Sequence, residues 1–446
     1  MATMIAAVAL RLLLTPAVAA PTLECSYNGE VASAGGPCTC RAPWTGPHCG
    51  QLPSPPPTTT GAETHDDESA AVFYRRILVQ SDATVAACDH LVVADCTDDL
   101  NAALNHSGRV VVPPLHDAAG AIVPWRVRGF NFRASNARVV FAAGVEVQAL
   151  KNATYLYACE KVADLAEAHN KRNLSVTGYG ASRSWRMWRE DYVQHCKHSE
   201  FRMGWSIDNC TDVEVAGLTI RETGGDGLIV MSNVWLCDAY SKRGVCNKGH
   251  YSKQGATRNL LIRDVILDRN FRQGMSVISA ENMLVINTTF SNTDGTPPMA
   301  VSHFRSCMPP RAFTTTMTTL CCMYACLPQG VDLEPDLTEV FTDPLRLTNI
   351  SFRNCAAVNN SGPGFSGYFA GLLGGAKGQW AKGLKPTTIT FTNCTVRGGN
   401  YTGWSWGALY PELAGSILVS GGSTEGTRCF ILQANPSKYL VYTYFF

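Results

Sequence analysis

The chain is poor in charge. Asp, Glu, Lys and Arg make up only 16% of its 446 residues, and the formal net charge is +1. Neutralising phosphates takes a basic surface, so this balance argues against nucleic acid as a partner. Long apolar runs are also missing. Arg11 splits the apolar start into halves too short to span a bilayer, and no later run is long enough for a membrane helix. Helical periodicity is almost absent, so a βαβ fold is excluded: no helical crossover fits between the strand-like segments. The glycine-rich stretch Gly371 to Gly378 lacks the Lys-Ser/Thr pair of a phosphate-binding loop. His195, Cys196 and His198, or Cys237, Cys246 and His250, match no common zinc spacing. No metal centre and no cofactor are expected, calcium being the one ion left open.

Cysteine, glycine and asparagine are what the chain has. Eighteen cysteines fit an oxidising compartment better than a reducing one. Residues 1–19 read as a signal peptide: they are apolar, free of acidic residues, and end at the small-x-small site Ala17-Val18-Ala19. Asn105, Asn152, Asn173, Asn209, Asn287, Asn349, Asn359, Asn393 and Asn400 each open an Asn-x-Ser/Thr triplet, which supports export and a glycoprotein. Export in turn favours a Cys237–Cys246 bridge. The expected location is extracellular, and the oligomeric state is left open.

Residues 21–50 hold Cys25, Cys38, Cys40 and Cys49, with Trp44 and Gly46 between the last two. Four cysteines allow three pairings. The run from Cys38 to Cys49 resembles the C-terminal half of an EGF-like module, and the resemblance implies the pairs Cys25–Cys38 and Cys40–Cys49. A spacer stapled only against proteases is the alternative. Residues 51–70 are Pro/Thr-rich and then acidic, an extended linker.

Residues 71–428 read differently. Asp95 to Leu104 suits a short amphipathic helix, and Arg109 to Pro113 and Ala137 to Gln148 suit strands. Then a form repeats: Asp212 to Ile220, Asn259 to Leu267, Asn282 to Phe290, Leu347 to Cys355 and Thr388 to Cys394 each alternate apolar residues, turn at Asn, Asp or Gly, and resume. Such repeats signal a solenoid. A second element recurs between them, in which Gly227, Gly274, Gly330 or Gly364 precedes an apolar residue. Leu228, Met275, Val331 and Phe365 are therefore expected in one interior column, with the glycines making tight bends.

The segments Asn173 to Gly180, Gly224 to Gly227, Arg272 to Gly274 and Gly330 to Pro335 give the stretch from about Asp95 to Tyr410 its resemblance to the pectin-lyase-like superfamily. The resemblance implies an all-β fold, a right-handed parallel β-helix preceded by the small disulfide-rich piece. That fold serves lyases, hydrolases, epimerases and non-enzymatic adhesins, so it does not name a reaction. Residues 301–329 break the repeat. Without them the step from Gly274 to Gly330 falls from 56 to 27 residues, a plausible coil length. A Val codon opens with GT and a Gln codon can close with AG, so a translated intron competes with a surface insertion. Residues 429–446 are an atypical tail.

Aligning the turn elements on their glycines puts Asp226 on one coil, Arg272 and Gln273 on the next, and Asp332 and Glu334 on the one after. Val331 and Leu333 take the inward places, so the acids face outward. The expected result is an exposed acid–arginine–acid column, with Asp226, Arg272, Asp332 and Glu334 as catalytic candidates. An arginine can hold and neutralise a uronate carboxylate, which acidifies the sugar's α-proton for elimination or epimerisation. Two carboxylates spaced around a water suit inverting hydrolysis instead. A purely structural ladder of polar turns is the competing reading. Gln273, Glu200, Arg202 and Trp188 are substrate-binding candidates, by hydrogen bonding or stacking. Glu200, Arg202 and Trp188, with Trp185 and Tyr192, fit equally a cap on the open end of the solenoid. Trp404, Trp406 and Tyr410 share that ambiguity. The partner expected is a polysaccharide or a glycoprotein, met by a lyase, epimerase or hydrolase, or by a non-catalytic wall or surface protein. The paired-Asp pattern of polygalacturonases and the Asp-Pro-His-Asp motif of alginate epimerases are absent.

Overall fold

The computed structural model describes residues 29–31, 38–40, 83–88, 95–151, 163–178, 184–195, 202–231, 256–295, 329–333, 347–368, 388–399, 403–409, 416–425 and 430–434. The chain divides into two units, Met1–His65 and Asp66–Phe446. In the first, Gly29–Val31 pairs antiparallel with Cys38–Cys40. The signal peptide, the linker and the expected pairings of Cys25, Cys38, Cys40 and Cys49 lie outside what is described, as does Cys237–Cys246. A disulfide not foreseen from the sequence, Cys88–Cys96, closes just before the helix Thr97–Ala103.

The second unit is a parallel β-helix, right-handed as strand–crossover–parallel strand connections are. Three parallel sheets run its length, and beyond the first back-sheet strand each coil lends one strand to each. The back sheet runs from Thr84–Val85 to Ser416–Ser420, the side sheet from Trp125–Val127 to Ser423–Glu425, and the front sheet from Phe130–Asn131 to Phe430–Ala434. One coil, for example, comprises Thr211–Ala216, Thr219–Arg221 and Leu228–Met231. The helix Thr97–Ala103 lies at the start of the solenoid and sends Leu100 and Ala103 into the same core. The front sheet reaches into the segment set apart as an atypical tail, because Phe430–Ala434 pairs with Trp404–Leu409. Gln329 also belongs to the coils: it is buried, and its carbonyl accepts from Gly274 N at 2.9 Å. The break in the repeat therefore ends one residue earlier than the repeat spacing suggested.

The alternation in each strand decides what is buried. Trp205, Leu228, Met275, Val331, Phe365 and Trp404 stand opposite one another in successive front strands, all in the core. The column expected at Leu228, Met275, Val331 and Phe365 is present. Upper coils are filled by aromatic stacks, Phe352 on Phe391 at 4.8 Å and Phe365 on Trp404 at 4.7 Å between ring centroids. Trp185 and Tyr192 are buried in the same core, so they are not the sugar-stacking surface allowed for above.

Two further positions explain the sequence. The back-sheet strands need a left-handed residue near their start and in the turn that follows them, and Asn supplies it: Asn136, Asn173, Asn259, Asn282, Asn287, Asn349 and Asn354 all have φ between 51° and 56° or at 59°. Their side chains form ladders between coils, as Asn282 Nδ2 to Asn259 Oδ1 at 3.0 Å and Asn349 Nδ2 to Asn282 Oδ1 at 3.2 Å. Asn173, Asn209, Asn287, Asn349, Asn359 and Asn393 are among these left-handed residues. In six of the nine triplets the Asn thus also answers a backbone demand. The recurring glycines are needed for close approach rather than for a bend. A Cβ on Gly227 would lie 2.6 Å from the carbonyl oxygen of Gly274, and one on Gly274 2.6 Å from that of Gly330. Neither has a left-handed φ.

Candidate functional site

The front sheet presents the candidate residues. Within Val331–Leu333 the two apolar side chains enter the core, so Asp332 points away from it. The same parity puts Glu167, Ser206, Ile229, Ser276, Asp332 and Ser366 in one outward row across successive strands. The turn before each strand adds a second row. Gly227 N donates to Gln273 O and Gly274 N to Gln329 O, so Asp226, Gln273 and Gln329 stack. Arg272 stands over Gly225, to whose carbonyl its N–H donates.

These rows bring Asp226, Arg272, Gln273 and Asp332 together. Asp226 Oδ1 accepts from Gln273 N at 3.2 Å, and its Oδ2 accepts from Ser276 Oγ at 2.7 Å. Arg272 Nη1 lies 3.8 Å from the same Oδ2. Gln273 Nε2 donates to Asp332 Oδ2 at 3.1 Å. Ser366 Oγ lies 3.1 Å from Val331 O and 3.5 Å from Asp332 Oδ1. The two acids on alternate coils are thus linked through Gln273, while Arg272 attends Asp226.

Exposure differs from the expectation. Asp226 and Asp332 are 0% and 1% exposed, and only the Arg272 side chain, 25% exposed, reaches solvent. The acids face outward from their own sheet yet are covered, so the expected open column is replaced by a buried acid pair with a partly exposed Arg272 beside Asp226. Gln273 is buried too. Glu334 and Glu200 lie outside the described residues. Arg202 is fully buried, at the turn position next to Gly225, and is not a surface contact. Trp188 is half-buried. Its Nε1 donates to Ala149 O at 2.7 Å, and Lys151 and Arg186 already lie over its ring at 4.8 and 5.1 Å. The platform offered for a sugar is held by two cations of the chain itself.

A second polar cluster lies lower on the same outer face, and the sequence reading missed it. His169 Nδ1 is 3.0 Å from Asp208 Oδ2, and its Nε2 is 3.2 Å from Glu167 Oε2. Asp164 accepts from Ser206 Oγ and from Met203 N. Burial pushes the Asp164 carboxyl up to about 8, so it keeps its proton in mild acid. Burial pushes Asp208 up as well, against the pull of His169. Burial alone would lower the His169 imidazolium, but hydrogen bonds to Asp208 and Glu167 outweigh it and raise it to about 10. The signal was the outward parity of Ala166-Glu-Ala-His169 and Trp205-Ser-Ile-Asp208, which becomes visible only when the two strands are put in register. Between the two polar clusters lies a small apolar one, Met203, Ile229, Met231 and Ile278. Among the described residues no group of three or more His, Cys, Asp and Glu is placed to hold a metal ion.

No family model matches the chain, and no curated protein matches it. Among solved structures, a family 28 exopolygalacturonase of Yersinia enterocolitica is 11% identical with a TM-score of 0.40, over 77% of this chain and 66% of that one. An iota-carrageenase complexed to iota-carrageenan fragments is 12% identical with a TM-score of 0.38, over 73% of this chain and 56% of its own. The A-module of a mannuronan C-5 epimerase of Azotobacter vinelandii is 9% identical with a TM-score of 0.29, over 77% and 95%. Likeness at this level is one of fold and says nothing of what this chain acts on.

Proposed function

We propose that the chain is an extracellular protein that acts on an acidic polysaccharide at the Asp226–Arg272–Asp332 cluster, by lyase or epimerase chemistry. The observation that carries the reading is one partly exposed arginine with its guanidinium 3.8 Å from a buried carboxylate, and a second buried carboxylate joined through Gln273. A uronate carboxylate would pair with Arg272, which neutralises it and makes the ring proton beside it more acidic. Asp226 or Asp332 would take that proton. In elimination the bond to the leaving oxygen then breaks and that oxygen is protonated. In epimerisation a proton returns from the opposite face.

A second reading is favoured by the burial of both acids and by their hydrogen bonds to neighbouring coils: a non-catalytic protein that binds a glycan or a glycoprotein. The test is a panel of uronate polymers incubated with the full chain. Unsaturated product marks a lyase, reducing ends without it a hydrolase, and an altered uronate ratio without cleavage an epimerase. Retention on an immobilised polymer with no turnover supports the binding reading. A chain that neither turns over nor retains any acidic polymer overturns both.

A further inference from the structure

Among the described residues three cysteines carry free thiols, Cys210, Cys355 and Cys394, all buried. Their places in the coils differ. Arg353 stands opposite Thr392 in the back sheet, and Ala356 opposite Thr395 in the side sheet. Cys355 and Cys394 fill the turn between these paired positions, so they are stacked on consecutive coils. Thr395 N donates to Cys355 O at 2.8 Å, which fixes the spacing. Neighbouring coils lie ~4.8 Å apart, inside the Cα separation that a disulfide spans. Both sulfurs are turned the same way, and Cys355 Sγ also lies 3.6 Å from Val285 O on the preceding coil, so the bond closes when that sulfur rotates toward Cys394. Cys355 Sγ lies 3.4 Å from Arg353 O, and Cys394 Sγ 3.6 Å from Thr392 O, in each case the carbonyl two residues back. Cys210 has no such partner: the coils on either side of it place Lys171 and Thr257 at its level.

We propose that Cys355 and Cys394 form a disulfide that staples two consecutive coils when the chain folds in an oxidising compartment. The bond closes a covalent loop across residues 355–394, and it braces the coil whose Ser366 lies 3.5 Å from Asp332. The oxidant is a disulfide of the thiol-exchange class, a small disulfide or an oxidoreductase. The Cys394 sulfur attacks it, forms a mixed disulfide and expels one thiol. Cys355 then attacks the Cys394 sulfur, loses its proton and expels the second thiol. Two electrons pass to the oxidant, two thiols leave, and one S–S bond is gained. A hydrogen bond from Cys355 holds the Cys394 thiol below its ordinary value, while burial holds Cys355 well above its own. Both sulfurs are buried once the coils have closed, so exchange belongs to folding, before the second coil docks.

The experiment uses the full chain recovered from a secreting culture. Free thiols are blocked with N-ethylmaleimide in denaturant without reductant, and the digest is mapped by mass spectrometry. The expected result is a peptide pair joined through Cys355 and Cys394. Maleimide on both residues, or either residue bridged elsewhere, overturns the proposal. Reduction should lower the melting temperature of the native chain further than that of the Cys355→Ala/Cys394→Ala variant, by on the order of 5–10 °C. Equal losses in the two proteins overturn the staple even where the linked peptide is found. Where the double variant fails to fold, the peptide map of the native chain still decides.

Discussion

Replacing Arg272 by alanine tests both the packing and the chemistry of the candidate site. At 3.8 Å the guanidinium and Asp226 attract by about 4 kcal/mol at an effective dielectric of about 20. Removing one partner of a fully buried pair costs roughly 3–5 kcal/mol, because the other charge is left without compensation. Arg272 is a quarter exposed, so water takes part of its place. Asp226 also keeps the Gln273 N–H and the Ser276 hydroxyl. The net loss for Arg272→Ala should therefore be roughly 1–3 kcal/mol, a drop of a few degrees in melting temperature for a chain of this length. That exceeds the ~0.5 kcal/mol of an ordinary surface substitution. If Arg272 also holds the substrate carboxylate, kcat/KM on the responsive uronate polymer should fall ~10²–10³-fold, as when one oxyanion donor is removed. Arg272→Lys keeps the charge but loses the two-pronged contact, so it should restore most of the stability and little of the turnover. Thermal unfolding by circular dichroism and steady-state kinetics on the same preparations measure the two quantities. A melting temperature unchanged in Arg272→Ala refutes the ion-pair argument, and unchanged turnover refutes the clamp.

Gly274→Ala should destabilise by roughly 2–3 kcal/mol or more, since its Cβ would meet the Gly330 carbonyl at 2.6 Å and Phe290 at 3.1 Å; urea unfolding checks this. Phe391→Ala removes a ring stacked on Phe352 in the core and should cost roughly 3–5 kcal/mol by the same measurement. Asn287, at φ 51°, should lose roughly 1–2 kcal/mol as alanine and less as glycine, and the reverse order would sink the left-handed ladder argument. The folded Asp164 carboxyl titrates at about 8, above its ordinary 3.8. Its stabilising contribution is then complete below about pH 4 and is lost as pH rises toward 8. Asp164→Asn should flatten that part of the stability profile, and urea midpoints at pH 5 and pH 8 that fall in parallel for both proteins would count against it.

Much of the architecture can be read from the residues alone. Alternation of apolar and polar residues fixes which side chains enter the core, because successive side chains on a strand point to opposite faces. Asn at the turns and Gly before Leu228, Met275, Val331 and Phe365 repeat in the chain because every coil meets the same steric demand. From those repeats alone, the solenoid, its interior column and the succession Asp226, Arg272, Asp332 on consecutive coils all follow. What tertiary structure decided is how residues far apart in the chain meet, and what covers them. The reason for the glycines came from the carbonyl of the next coil. The meeting of Glu167 and His169 with Asp208, and of Cys355 with Cys394, depends on strand register across 39 residues, which no local pattern encodes. Burial of Asp226 and Asp332 is likewise a property of the folded chain: strand parity settles which way a side chain points, and only the packing of other segments settles whether water reaches it.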